Sequence, residues 1–262
     1  FVSMKNNLSM AENAMNEINE YLNIPSDTNT GSTIKEFHGS IEVKDLFFQY
    51  PQTKNPIFES LNLNFSAGDV ISVIGSNGSG KSTLMNVFAS VLELSRGSIM
   101  IDGIELAQLS KTWYRSQIAF SPQEPKFIDG SIKDNLIGSN EIKEIDFKNI
   151  LIEVDLINYI NSREKGLNTL LEDRGETLPV GIRKRMSLAR AMINQGQLII
   201  LDEPTEGLDI TGKEKVKNLI NNEKEKKKTI IIATNDQEII NLSHILVDMN
   251  SKPKPSIARV KK

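Results

Sequence analysis

Residues Gly75 to Thr83, GSNGSGKST, satisfy the spacing G-x-x-x-x-G-K-[ST]. Gly75, Gly78 and Gly80 let the chain bend so that successive backbone N–H groups, through Ser76, Asn77 and Ser79, turn inward toward phosphate oxygens. Lys81 can reach β- and γ-phosphates and Ser82 can ligate Mg2+. Thr83 continues into a helix whose positive end faces the same anions. A second pair, Asp202 and Glu203, follows the apolar run LIIL. Asp202 suits Mg2+, held mostly through water, and Glu203 suits the orientation or deprotonation of an attacking water. Together the two sets imply nucleoside triphosphate binding and hydrolysis.

Such residues need strands and helices to hold them. The loop stands between a short buried strand pattern, DVISVIG, and a helix pattern, STLMNVFASVL. QLIILDEP and TIIIATND have the β-branched runs of buried parallel strands, and HILVDMN adds a last strand. Ahead of the loop, SIEVKDLFFQY and IFESLNLNFS alternate as antiparallel strands, and SIMIDGIEL reads as a strand and turn. From Ile132 to Ile193 helical patterns dominate. The closing SKPKPSIARVKK reads as an extended or frayed tail. At the start, Met4, Leu8, Ala11, Met15, Ile18 and Leu22 fall at helical spacing, and the polar stretch Pro25 to Thr33 marks a boundary. The expected fold is α/β: a P-loop NTPase (RecA-like) parallel-sheet core with an antiparallel β flank and an inserted α-helical subdomain.

The 262 residues carry a net charge of −3 and no face-wide basic block, which argues against a nucleic acid partner. The lysine run from Glu223 to Thr229 reads as a solvated turn. There is no cysteine, so disulfides and thiolate metal sites are excluded. No stretch approaches the ~20 apolar residues of a membrane span, and no signal peptide is visible. The first residue is Phe1, which suggests a piece of something longer.

With these motifs in place, the chain resembles the nucleotide-binding domain of an ATP-binding-cassette (ABC) transporter of the exporter type, over nearly all its length. The resemblance implies ATP and Mg2+ as cofactors. It implies that Tyr50, in FFQYP, stacks on adenine, although on its own this reads as a half-exposed strand tyrosine. It implies that Gln123, in SPQEP, senses Mg2+ as a ligand beside Ser82 and Asp202 and links the core to the helical insert. EGLD, Glu206 to Asp209, lies where the family has its D-loop, and EDRG resembles the exporter-type loop that touches a membrane domain.

Two positions depart from the family pattern. Its signature turn reads leucine, serine, glycine, glycine, glutamine; here it reads Leu178, Pro179, Val180, Gly181, Ile182. Pro179 offers neither a hydroxyl nor an N–H, and Val180 restricts the backbone, which leaves Gly181 and the start of the following helix as a weakened anion cap. Asn235 stands where the family has a histidine that contacts the γ-phosphate; it can donate one hydrogen bond but cannot switch protons, and it could equally cap a helix. His38 and His244 read as surface or strand positions.

By this resemblance, residues 1–33 are the cytosolic end of a preceding membrane-domain helix plus linker. Residues 34–262 are the ATPase domain, with its helical subdomain at approximately 124–193. The expected activity is ATP hydrolysis that drives an exporter half-transporter, with Lys81, Gln123, Glu203 and Asn235 as the catalytic set. Tyr50, the loop, the signature turn and Asp209 bind nucleotide. The expected partners are a second ATPase domain, head to tail in a homo- or heterodimer, and a membrane domain at the cytoplasmic face of a bacterial inner membrane. The substrate reading is a type I secretion, peptide or thiol exporter. The alternatives are a regulatory subunit that binds ATP without hydrolysing it, and a non-transport cassette ATPase.

Overall fold

The structure is a computed structural model that describes Met15, Ile18 and residues 30–260, apart from Gln52, Ser139, Lys252 and Pro253. Met15 and Ile18 are helical and exposed; the rest of the opening helix pattern and most of the linker lie outside the described residues. At the end of the linker, Ser32 is already docked: its N–H donates to Gln108 O, and its carbonyl accepts from Ser110 N.

Two sheets carry the fold. Strands β1 (Ile41–Phe48), β2 (Phe58–Phe65), β4 (Arg96–Ile101) and β5 (Ile104–Glu105) form an antiparallel sheet in the order β2-β1-β4-β5. Strands β3 (Val70–Ile74), β6 (Ile118–Ser121), β7 (Leu198–Asp202), β8 (Thr229–Ala233) and β9 (Ile245–Asp248) run parallel in the order β9-β3-β8-β7-β6. Within the closing segment the described residues are extended, as one of the two readings has it. Ser256–Arg259 form β10, an exposed antiparallel edge strand on β9.

The parallel strands are apolar at nearly every position because both of their faces are covered. Ile71, Val73, Ile200 and Ile231 point into one core, shared with the antiparallel sheet and helices α1 (Lys81–Phe88) and α2 (Lys111–Ser116). Val70, Ile199, Leu201, Ile230 and Ile232 point into the other. That second core is completed by α3 (Ile132–Ile137), α4 (Glu144–Glu153), α5 (Ile157–Asn161), α6 (Val180–Ile193) and α7 (Ile210–Glu225). The period-2 geometry of a strand therefore decides which residues serve which core. The short helix α8 (Gln237–Ile240) follows β8.

One turn fixes the entry to the antiparallel sheet. Asp102, with φ 46°, sits between β4 and β5, and its carboxylate accepts from the backbone N–H groups of His38, Gly39 and Ser40 and from the Ser40 hydroxyl. Burial works against the charge, but these donors overrule it and hold the carboxyl below its ordinary value. A depressed folded-state pKa gives stability above the unfolded value that is lost as the pH falls. Asp102→Asn keeps the backbone conformation and is expected to cost about 1–2 kcal/mol at pH 7. Urea unfolding at pH 7, 4 and 3 should show the gap to wild type nearly intact at pH 4 and narrowing below it.

Candidate functional site

The predicted chemistry-bearing residues converge at the carboxyl edge of the parallel sheet, where open α/β folds bind ligands. The glycine-rich loop follows β3, Gln123 lies two residues beyond β6, Asp202 ends β7, and Asn235 lies two residues beyond β8. Gly80 caps α1 in a left-handed conformation, φ 105°, which favours glycine. At Gly75 a Cβ would come within 2.6 Å of Ser79 Oγ, so this first turn also requires glycine.

Lys81 is 6% exposed, and its ammonium lies 2.8 Å from Gly75 O and 3.2 Å from Glu203 Oε1. Glu203 itself has φ 45°, a left-handed backbone that is costly for a side-chain residue and concentrates at functional sites. Its N–H donates to Ala233 O, which carries the β7–β8 ladder one residue beyond Asp202.

Ser82 Oγ donates to Gln123 Oε1 at 3.2 Å, and Gln123 Nε2 donates to Glu206 Oε2 at 2.9 Å. Asp202 is 2% exposed, and its Oδ1 has no hydrogen-bond partner among the described residues. Burial pushes its carboxyl up; the Ser82 hydroxyl opposes this, whereas the charge of Glu203 adds to it. An orphaned buried carboxylate oxygen beside a hydroxyl and an amide oxygen is a hard oxygen set, and Mg2+ fits it. Ser82, Gln123 and Asp202 are the residues that could hold it.

Tyr50 lies just past β1, 37% exposed, with its ring edge-on to Phe48 and its hydroxyl 3.2 Å from Thr83 Oγ1. A half-exposed ring tethered beside the loop can offer a face to a base.

Asn235 does not cap the helix that follows it; Asp236 does, by accepting from Glu238 N. The Asn235 amide instead grips Gly75: Nδ2 donates to Gly75 O at 2.9 Å, and Oδ1 accepts from Gly75 N at 3.2 Å. Ser76 N donates to Asn250 Oδ1, a second clasp on the loop that spacing alone did not reveal. His38 and His244 lie away from this network, as the sequence suggests; His244 Nδ1 accepts from Val70 N at the other end of β3.

The turn Leu178–Ile182 lies at the start of α6. Pro179 is the N-cap, without a side-chain cap bond, and its carbonyl accepts from Ile182 N and Arg183 N. Val180 is 54% exposed and leans on Gly207, where a Cβ would lie 2.8 Å from Val180 Cγ1; Gly181 faces Gly207 O and Leu208. Asp209 caps α7 through Gly212 N and pairs with Arg185 at 3.2 Å, so its carboxylate is committed to its own helix and to α6. These residues join the loop network through α6, and the link is one that sequence reasoning missed. Lys184 Nζ donates to Gln123 O at 2.8 Å. Its place was legible, since Lys184, Leu188 and Ala191 share one helix face and the latter two are buried.

Residues 58–206 match the family described as ABC transporter, and the chain belongs to that family. It is 34% identical over 221 residues to ABC transporter B family member 1 of Dictyostelium discoideum, an alignment covering 83% of this chain and 24% of that protein. It is 30% identical over 244 residues to ABC transporter B family member 15 of Arabidopsis thaliana, covering 92% and 20%. The chain thus spans about a fifth to a quarter of the length of these two relatives. Its fold matches a bacterial Atm1-family ABC exporter solved with ATP bound, with a TM-score of 0.82 and 19% identity, over 92% of this chain and 43% of that one. The α/β core, antiparallel flank and helical insert are therefore those of the ABC nucleotide-binding domain.

The Asn235 clamp makes a prediction. Two hydrogen bonds of about 0.5–1.5 kcal/mol each hold Gly75, and Gly75 shapes the loop for any nucleotide. Asn235→Ala is expected to weaken ADP and ATP binding alike, by roughly tenfold. A contact made only to the γ-phosphate would weaken ATP alone, and calorimetric titration with both nucleotides separates the two.

Proposed function

We propose that this chain is the ATP-binding and ATP-hydrolysing motor domain of an ABC exporter, acting as a head-to-tail pair of such domains beneath a membrane domain. The observation that carries this is the network joining Lys81, Ser82, Gln123, Asp202 and Glu203 at one sheet edge. The family and the exporter-like fold support the transport setting, and so do relatives four to five times the length of the matched part. Among the described residues no helix is long and apolar enough to cross a membrane, so the membrane domain would lie elsewhere.

On this reading the backbone of Gly75–Thr83 and the N-terminus of α1 bind the phosphates, while Tyr50 stacks on the base. Lys81 exchanges Glu203 and Gly75 O for phosphate oxygens. That exchange frees Glu203 to orient and deprotonate the attacking water. Ser82, Gln123 and Asp202 would hold Mg2+, whose charge would neutralise that of the phosphates. The signature turn caps the nucleotide of the facing domain with Gly181 and the positive end of α6. Asp209 would join that cap by releasing Arg185.

A second reading is a subunit that binds ATP and leaves hydrolysis to a better-equipped partner. Pro179 favours it, because it offers no N–H or hydroxyl to a partner's phosphate.

Steady-state Mg2+-ATP hydrolysis across protein concentration distinguishes them. The motor reading expects turnover that rises with concentration and falls at least about a hundredfold in Glu203→Gln. Equal, negligible turnover in both, with ATP still bound, would favour the second reading. The double variant Pro179→Ser/Val180→Gly is expected to raise turnover, because it restores a hydroxyl and backbone freedom at the cap. Its assay at high protein concentration checks that the turn limits the rate.

A further inference from the structure

Lys184 lies one turn into α6 and is 3% exposed. A buried ammonium persists only where it is paired and hydrogen-bonded. Here burial depresses its basicity, while the carboxylates of Glu206, Asp202, Glu203 and Glu124 act to restore it. Its hydrogen bond goes to none of them but to the backbone carbonyl of Gln123, at 2.8 Å.

That carbonyl is a sensitive place to hold. Gln123 belongs to no strand or helix, so no ladder fixes its backbone. Its side chain nevertheless touches Ser82 on one side and Glu206 on the other. Beside it opens a cleft of about 540 Å³, lined by Glu124, Lys126, Val180, Arg183 and Gly207 as well as by Gln123 and Lys184, so packing alone leaves the loop room to move.

We propose that Lys184 is a positioning residue for the metal site: by gripping Gln123 O it sets where Gln123 Oε1 meets Ser82, and it makes that geometry follow the orientation of α6. The inference rests on the reading of the site as one for Mg2+ and nucleotide. It assigns to a lysine in the signature helix a part in forming the domain's own metal site, separate from any cap the same helix offers to a facing domain.

The sign of one measurement decides. A cation acting only through its field would repel Mg2+, so its removal would lower the Mg2+ needed. A positioning residue has the opposite effect, and loss of such outer support typically weakens metal binding by roughly 10–100-fold. The experiment titrates Mg2+ into the protein with a fluorescent ATP analogue and compares wild type, Lys184→Met, Gln123→Ala and the double variant, each checked by thermal melting. Lys184→Met is expected to raise the half-saturating Mg2+ by roughly tenfold and to leave Mg2+-free binding of the analogue unchanged. In the Gln123→Ala background it should add nothing, because it acts through Gln123. If Lys184→Met melts out, Lys184→Gln, which keeps a shorter donor, should give a smaller shift in the same direction. A lowered or unchanged Mg2+ requirement would overturn the proposal, as would effects of the two single variants that multiply. A wild-type chain that binds no analogue would instead overturn the underlying reading of the site, and the proposal with it.

Discussion

Charge buried at the carboxyl edge of the parallel sheet is the constraint on which the rest of the structure depends. Lys81, Asp202 and Lys184 are almost fully removed from water. A buried charge that loses its partner costs several kcal/mol, so each must be met by a group from a different loop. Lys81 takes Glu203 and Gly75 O, Lys184 takes Gln123 O, and the Ser82 hydroxyl and the lysine charges offset part of the cost of burying Asp202. The loops after β3, β6 and β7 are tied together by these needs. A buried ion pair is weak evidence of stability, but it makes a responsive site. On the proposed reading an arriving phosphate competes for Lys81, and the same exchange releases the base.

The departures from the family's pattern have physical content in this setting. Asn235 is a planar amide with a donor and an acceptor side by side, which matches the N–H and C=O of one peptide residue. It therefore pairs with Gly75 much as a neighbouring strand would. At the turn Leu178–Ile182, Pro179 can open α6 because an N-cap needs no N–H of its own, and its preset φ suits the entry. Val180 has turned toward Gly207, so a position where glycine would leave backbone open is filled by a side chain. The turn has kept its helix and the N–H groups of Val180 and Gly181, while Pro179 brings neither a hydroxyl nor an N–H.

Much of the fold was legible because burial on both faces leaves a strong mark. The runs VISVI, LIILD and TIIIA could not be solvated, and they became adjacent parallel strands. The glycine spacing of the loop was legible for a similar reason, since backbone at φ 105° admits few other residues. The tail was read as extended or frayed, without the strand pairing it makes. Pro- and Lys-rich chain has no apolar periodicity, and β10 forms through backbone bonds to β9 with all four of its residues exposed. A strand held only on one edge by main-chain groups leaves almost no pattern in the side chains.

What the sequence by itself determined was the set of groups and their local geometry: a loop that bends, a lysine and serine at a helix start, and two carboxylates at a strand end. These follow from short-range sterics and from periodicity, which act within a few residues. What only the tertiary structure decided was pairing across long separations. Asn235 grips Gly75 across 160 residues, Gln123 meets Ser82 across 41 and Glu206 across 83, and Lys184 holds Gln123 across 61. No local rule selects among the many donors and acceptors of the chain. The choice falls to whichever groups the strand order brings together out of water, where leaving a polar atom unmatched is costly.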